Sequence, residues 1–377
     1  MSAEEKFLLK NYLFNKEKVA KISSEILAVW PEFESSKFKK KVVTKFPKLE
    51  LMERVYWIRD CLREFLPDDY QEAVKILLES LPPPCDPTLS DDDFGDFIYA
   101  PYGYFVAEYG CQKKDLTFSL IALRQLTTRF SMEGPIRFFI NEFPRETIDA
   151  LKKWSRDSHY HIRRLASEGT RPSLPWAKKI DVNYEDMVEI LNILHSDKTR
   201  FVTRSVANHI NDISKIDPKL VIKILKVWRK LRIQNEKELD FIIKHSLRTL
   251  VKDGHEGALG LLGYSTKDIK VKNFKINTPK VKVGSSLEFS FDVISTGKEK
   301  QDLMIDYILY FKKANGDLSP KTHKIAKKII NPKETVTINK KHPLRKMTTR
   351  KLYVGLHKLE LQINGHKFGI KEFTLIK

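Results

Sequence analysis

A pattern that recurs every forty residues constrains this chain more than any other feature. Ile162, Arg164 and Glu168 recur in kind as Val202, Arg204 and Asn208, and again as Ile242, Lys244 and Arg248. Phe201 answers to Phe241, and Ala207 to Leu247. Self-similarity at this period in helix-forming sequence marks HEAT-like repeats, in which each helix pair buries its apolar face by stacking on the next pair. Within the first of these helices, Ile162, Leu165, Ala166 and Gly169 fall at i, i+3, i+4 and i+7, the spacing of a buried stripe. Arg164, Glu168 and Arg171 share another face. Arg204, Asn208 and Asp212 repeat that face, and so do Lys244, Arg248 and Lys252. Stacked helices lie roughly 8–10 Å apart, so the three polar stripes are expected to form one solvent-facing basic surface with two carboxylates set in it. Ordinary salt-bridge decoration is the competing reading, because an i, i+4 pair such as Arg164 and Glu168 is worth only about 0.2–0.5 kcal/mol.

The periodicity changes towards the end of the chain. Leu287, Phe289, Phe291 and Val293 alternate, as do Ile305, Tyr307, Leu309 and Phe311, and then Leu359, Leu361 and Ile363. Asn315-Gly316 and Asn364-Gly365 stand where a hairpin of type I′ needs positive φ. The expected architecture is multi-domain and mainly α: a HEAT-like α-α superhelical repeat over residues 1–264, then an all-β antiparallel sandwich over 265–377. The segment Leu81–Phe97, rich in Pro and Asp, reads as a loop. An aromatic cluster follows it, from Tyr99 to Tyr109.

Charge separates the same two parts. The chain of 377 residues carries a formal +19. Residues 265–377 hold 25 Lys and Arg against 10 Asp and Glu, whereas the first 264 hold 43 against 39. A domain this basic points to a polyanion, and nucleic acid fits better than a membrane because no basic amphipathic helix accompanies it. Its cations cluster between Lys321 and Lys351, where Lys327, Lys328, Lys341, Arg345 and Lys346 are expected to contact DNA from a loop-rich stretch. Cys61, Cys85 and Cys111 lack the spacing of a disulfide framework or a zinc site. No stretch reaches membrane-spanning length, and the acidic residues near the start do not suit a signal peptide. The chain is therefore expected to be cytoplasmic.

Dinucleotide, P-loop, serine-hydrolase and zincin motifs are missing from the sequence. What remains is carboxylate chemistry beside aromatics in a basic trough. Glu168 is followed by a turn through Pro172 and Pro175 that ends at Trp176. A carboxylate can stabilise an oxocarbenium-like transition state, as in glycosidic cleavage, and a tryptophan face can hold a cationic ring. Trp154 and Trp176 could equally be core residues. His159 and His161 read as capping or surface groups rather than metal ligands.

The runs HIRRLASEGTRPSLPWA (His161–Ala177), LTTRFSMEGPIRFFI (Leu126–Ile140), FVTRSVANHINDISK (Phe201–Lys215) and HKLELQINGHKFGIKEF (His357–Phe373) resemble the AlkC branch of the DNA alkylation repair glycosylases. The resemblance spans about residue 50 to the end. It implies a HEAT-like glycosylase of base excision repair that removes cationic lesions such as N3-methyladenine and N3-methylcytosine from duplex DNA. It also implies an immunoglobulin-like C-terminal domain that clamps the DNA. Carried over residue by residue, it implies that Glu168 is a catalytic carboxylate, that Trp176 and Arg164 are active-site groups, and that Glu133 and Asp212 belong to the site. His209 stands where the family pattern leads one to expect Asn. Arg164, Arg171, Arg204, Lys244 and Arg248 are expected to line the phosphate track. A base methylated at N3 is already a good leaving group, so neither a general acid nor insertion into a deep pocket is required. No cofactor, metal or obligate protein partner is implied, and a monomer acting on duplex DNA is expected. The alternative is a non-catalytic HEAT-repeat scaffold that binds DNA or protein. Carboxylates facing phosphate count against it, since they cost affinity unless they do chemistry.

Overall fold

The computed structural model describes residues 8–91, 94–181, 183–265, 267–345 and 351–377. Sixteen α-helices precede eight strands among them. The first helices are α1 Leu9–Leu13, α2 Lys16–Val29, α3 Ser35–Lys45, α4 Leu51–Phe65 and α5 Tyr70–Glu79. After the irregular segment that follows Glu79 come α6 Ala100–Gly110, α7 Leu116–Thr127, α8 Ile136–Glu142 and α9 Pro144–Trp154. Next are α10 Tyr160–Glu168, α11 Tyr184–Leu194, α12 Arg200–Ile213, α13 Pro218–Leu231 and α14 Glu236–Ser246, and the short α15 Arg248–Lys252 and α16 Glu256–Leu261 close the helical part. The starts are chemically marked. Asn15, Asp69 and Asn183 each accept a backbone N–H of the first turn, and Glu50 and Glu53 form a reciprocal capping box before α4.

The chain forms two compact units, Met1–Ile213 with Trp228–His245 and Ser214–Val227 with Ser246–Lys377. In the first, helices α10, α12 and α14 sit at the forty-residue step, and the apolar positions of the repeat lie inside: Ile162, Leu165, Ala166, Val202, Val206, Ile242 and Ile243 are all buried. Polar contacts tie neighbouring turns of the repeat together. Arg163 grips Asp197, Arg200 grips Glu238, and the imidazole of His245 meets the Asn208 side chain at 2.8 Å.

The second unit holds the strands β1 Ile269–Ile276, β2 Lys280–Lys282, β3 Ser286–Ser295, β4 Gln301–Lys312, β5 Leu318–Ile330, β6 Thr335–Pro343, β7 Gly355–Ile363 and β8 His366–Ile376. They form a three-stranded sheet, β1-β3-β6, and a five-stranded sheet, β2-β8-β7-β4-β5. All pairings are antiparallel except β2 with β8, which is parallel. The alternating residues Leu287, Phe289, Phe291, Ile305, Tyr307, Leu309, Leu359 and Leu361 meet in one core. The hairpin β7–β8 turns at Asn364 (φ 46°) and Gly365 (φ 81°), both left-handed as a type I′ turn requires. The β4–β5 hairpin differs from expectation. Gly316 alone takes positive φ there, at 90°, and its N–H donates to the Lys313 carbonyl at 3.1 Å, so a type I turn closed by a left-handed glycine makes the bend.

The stretch from Lys321 is not loop-rich, as its polarity suggested, but two strands. Lys321, Lys324, Lys327 and Lys328 lie exposed on β5, the edge of the larger sheet, and Lys340 and Lys341 lie on β6, the edge of the smaller one. Edge strands rich in lysine resist edge-to-edge association, which gives these residues a structural use besides any binding. Lys341 is ion-paired with Glu288 across the β3–β6 ladder at 2.7 Å. Arg345 is exposed, and Lys346 lies outside the described residues.

Candidate active site

Helix α10 presents Arg164 and Glu168 one turn apart, and the chain then reverses through Thr170–Pro175, which folds Arg171 back over the helix end. Glu168 Oε1 accepts from Arg171 Nη1 at 2.6 Å and lies 3.7 Å from Arg164 Nη2. Its Oε2 accepts from Ser205 Oγ of α12, also at 2.6 Å. Arg171 Nε donates to Asp212 Oδ2 at 2.9 Å. Arg164 Nη1 donates to Glu133 Oε2 at 3.1 Å and to Ser131 Oγ at 3.0 Å, and its guanidinium carbon stands 4.5 Å from the centre of the Phe201 ring. Three carboxylates, from the segment before α8, from α10 and from α12, are thus joined by two guanidinium groups.

Glu168 was expected on a solvent-facing stripe, and the structure corrects this: only 5% of it is exposed. Helix α12 packs against α10 on this face, and Ser205 occupies the place where water would be. Burial favours the neutral carboxyl, but Arg164 and Arg171, helped by the Ser205 hydroxyl, outweigh it and hold Glu168 below the usual carboxylate range. Burial likewise works against the charge on Arg164, and Glu133 and Glu168 more than restore it. The same holds for Arg171 between Glu168 and Asp212. Glu168, Arg164 and Arg171 thus sustain one another's charge out of water, so deleting one of them strands the others.

Trp176 is 81% exposed, so it is no core residue, whereas Trp154 is. Its backbone is left-handed at φ 61°, a conformation that costs a non-glycine residue about 1–2 kcal/mol. With Leu174, Pro175, Tyr104, Phe130 and Glu133 it lines a cavity of about 90 Å³. Glu133 therefore faces both the aromatic wall and, through Arg164, the Glu168 carboxylate. His159 caps α10 as expected, yet both it and His161 are buried rather than at the surface. His209 is also fully buried; its Nδ1–H donates to the Ser167 carbonyl at 3.0 Å, and burial pushes its pKa down to about 4, leaving a neutral ring.

Sequence reasoning missed Arg137. This guanidinium is 1% exposed and donates to the carbonyls of Gly169 (3.0 Å), Arg171 (2.9 Å) and Lys178, stapling both ends of the turn that carries Arg171 and Trp176. A lone arginine inside the apolar run Ile136–Ile140 was the available signal. Ser131 and Ser205 were also missed, and nothing in their local sequence distinguishes them.

The expected phosphate track needs correction. Arg164 and Arg171 are consumed by carboxylates and about a tenth exposed, so they do not form a free basic stripe. Arg204 is ion-paired with Asp91. Lys244 on α14 and Arg248 on α15 are exposed.

Comparison with known proteins supports the same class. Residues 129–248 match the family model described as "DNA alkylation repair enzyme", and residues 270–377 match "Uncharacterised protein YhaZ, C-terminal Ig-like domain". The chain is 34% identical over 358 residues to YhaZ of Bacillus subtilis, covering 94% of this chain and 95% of that protein. It is similar in structure to Pseudomonas fluorescens AlkC, an alkylpurine DNA glycosylase solved bound to DNA containing an abasic site analogue. The TM-score is 0.79, with 30% identity over 98% of this chain and all of the other. The chain belongs to the DNA alkylation repair enzyme family, in its AlkC-type branch with a C-terminal Ig-like domain.

Proposed function

We propose that this chain is a DNA glycosylase that hydrolyses the N-glycosidic bond of cationic alkylated bases, N3-methyladenine and N3-methylcytosine, in duplex DNA, acting as a monomer. The observation that carries the proposal is Glu168, a carboxylate buried yet held ionised by Arg164, Arg171 and Ser205. A fixed negative charge in a water-poor site stabilises positive charge more strongly than it could in bulk water. In the reaction the bond between C1′ and the base nitrogen breaks heterolytically. Its electron pair neutralises the methylated base, and positive charge develops on the deoxyribose. Glu168 stabilises that charge while Asp212 and Glu133 complete the anionic frame. Water adds to C1′ and gives up a proton to a carboxylate. The exposed indole of Trp176 offers a face for the cationic ring at the surface, so no deep pocket is needed and the base need not be flipped out. Residues 1–264, in a HEAT-like arrangement, carry the chemistry, and residues 265–377 clamp the duplex through the exposed lysines of β5.

The test is to incubate the chain with duplex DNA methylated at N3 of adenine and of cytosine and to identify the released bases. Free methylated base with an abasic strand is the expected result. Tight binding to the duplex without release would assign the chain to the non-catalytic scaffolds and overturn the proposal.

A further inference from the structure

The first fifty residues carry a feature that the candidate site does not use. Between Ser35 and Leu49 the chain has six lysines and no acidic residue. Helix α3 turns Phe38 and Val42 fully inward, and Phe46 follows on the same line. Lys37, Lys40, Lys41 and Lys45 then recur at i, i+3, i+4 and i+8 along its outer side, and Lys48, at i+11, follows in the 3-10 turn Phe46–Lys48. At 1.5 Å per residue this row is about 16 Å long, enough to face more than one phosphate of a DNA backbone, whose strand carries one charge per about 3.4 Å of duplex axis. Lys37 and Lys41 have surface partners in Glu34 and Glu64, while Lys40 and Lys48 are exposed and have no ion pair among the described residues. The Lys45 ammonium lies 3.8 Å from the centre of the Trp57 ring, whose Nε1–H is tied to the Val42 carbonyl at 3.2 Å. The cation is thereby held along the row.

We infer that the outer face of α3, with the 3-10 turn that follows it, is a second DNA-backbone contact, separate from the carboxylate cluster and from the β5 lysines. The inference rests on the proposed DNA-directed function. A protein partner fits poorly, because the row offers no exposed aromatic or aliphatic anchor of the kind that carries protein interfaces. A membrane fits no better, because the apolar side of the helix is already buried against its neighbours and cannot enter a bilayer.

The test is the double substitution Lys40→Gln and Lys48→Gln in the full chain, with duplex affinity measured from 50 to 200 mM salt. Two lost phosphate contacts should make the slope of log K against log salt shallower by about 2 units, which is roughly a tenfold difference over that range. The single-turnover excision rate at saturating enzyme should be unchanged. An unchanged slope with normal excision overturns the inference and leaves the function standing. An unchanged slope with lost binding to phosphatidylserine vesicles overturns it in favour of a membrane surface. A wild-type chain that neither binds duplex nor releases base removes the reading on which the inference rests.

Discussion

Glu168 in the helical unit and Asp306 in the sandwich are both carboxyls hidden from water, at 5% and 4% exposure, yet their acidities move in opposite directions. Glu168 receives hydrogen bonds from Arg171 and Ser205, with Arg164 alongside, and stays ionised well into acid. Asp306, on the side of β4 facing away from the sandwich core, pairs in register with Gln362 and Lys324. Its Oδ1 accepts no hydrogen bond among the described residues. Burial dominates there and pushes Asp306 up to about 6, although Lys324 and Lys327 pull it down. Burial alone therefore does not decide whether a carboxyl is charged; direct donors do. A carboxylate held as an ion by direct donors is available for electrostatic catalysis even in mild acid, whereas one whose acidity is pushed up to about 6 by burial takes a proton there.

The largest effect that would break this comparison is on Glu168. Glu168→Gln keeps the shape and removes the charge, and should lower the single-turnover excision rate by about a hundred- to a thousandfold while duplex affinity stays within about twofold. In the parent the rate should be flat with falling pH until below the ordinary glutamate value of 4.5. A variant that excises at the parental rate would reduce the cluster to a structural salt bridge.

Next in size is Arg137→Met, which fills the space but takes the donor from the buried carbonyl of Gly169 and from the partly buried ones of Arg171 and Lys178. Unfolding free energy should drop by about 3 kcal/mol, with excision slowed as well because the turn bearing Arg171 and Trp176 is loosened. Parental stability together with parental rate would show that the turn holds itself.

Asp306→Asn should do the opposite of a damaging change. Its carboxyl titrates higher in the folded state than the ordinary 3.8, so folding favours the proton. The penalty for this group is absent below the unfolded value, grows as pH rises from 3.8 and is complete above about 6. The Asn variant should be more stable by up to about 3 kcal/mol at pH 7, close to the parent near pH 4, and unaltered in excision. A loss of stability at pH 7 would mean that the charged form is the one the sandwich uses.

The smallest effect concerns the edge strand. Lys327→Gln and Lys328→Gln should each make the salt slope of duplex binding shallower by about one unit and leave the saturated rate alone. If the slope does not move, the lysines of β5 serve solubility and edge protection instead.

Much of this could be read in the chain before it was folded. The forty-residue step located α10, α12 and α14, the alternating residues located the sandwich, and i, i+4 spacing placed Arg164 beside Glu168. Burial of that pair was not legible, because a helical period says which residues share a face but not whether another helix covers it. Arg137 and Ser205 reach the cluster from α8 and α12, thirty or more positions away, and only tertiary packing brings them in. Two strands were mistaken for loops because exposed edge strands carry the same lysine-rich composition as loops.

Trp176 also gives the molecule an optical handle. Of the five tryptophans, Trp154 and Trp228 are buried and Trp30 and Trp57 half-covered, so Trp176 stands apart as the indole most fully in water. Its ultraviolet emission is accordingly the most red-shifted of the five and the most open to quenching by a base that stacks on it. Because the other four indoles are buried or half-covered, a change in intrinsic fluorescence on mixing with a nucleic acid reports chiefly on contact at this spot without any attached dye.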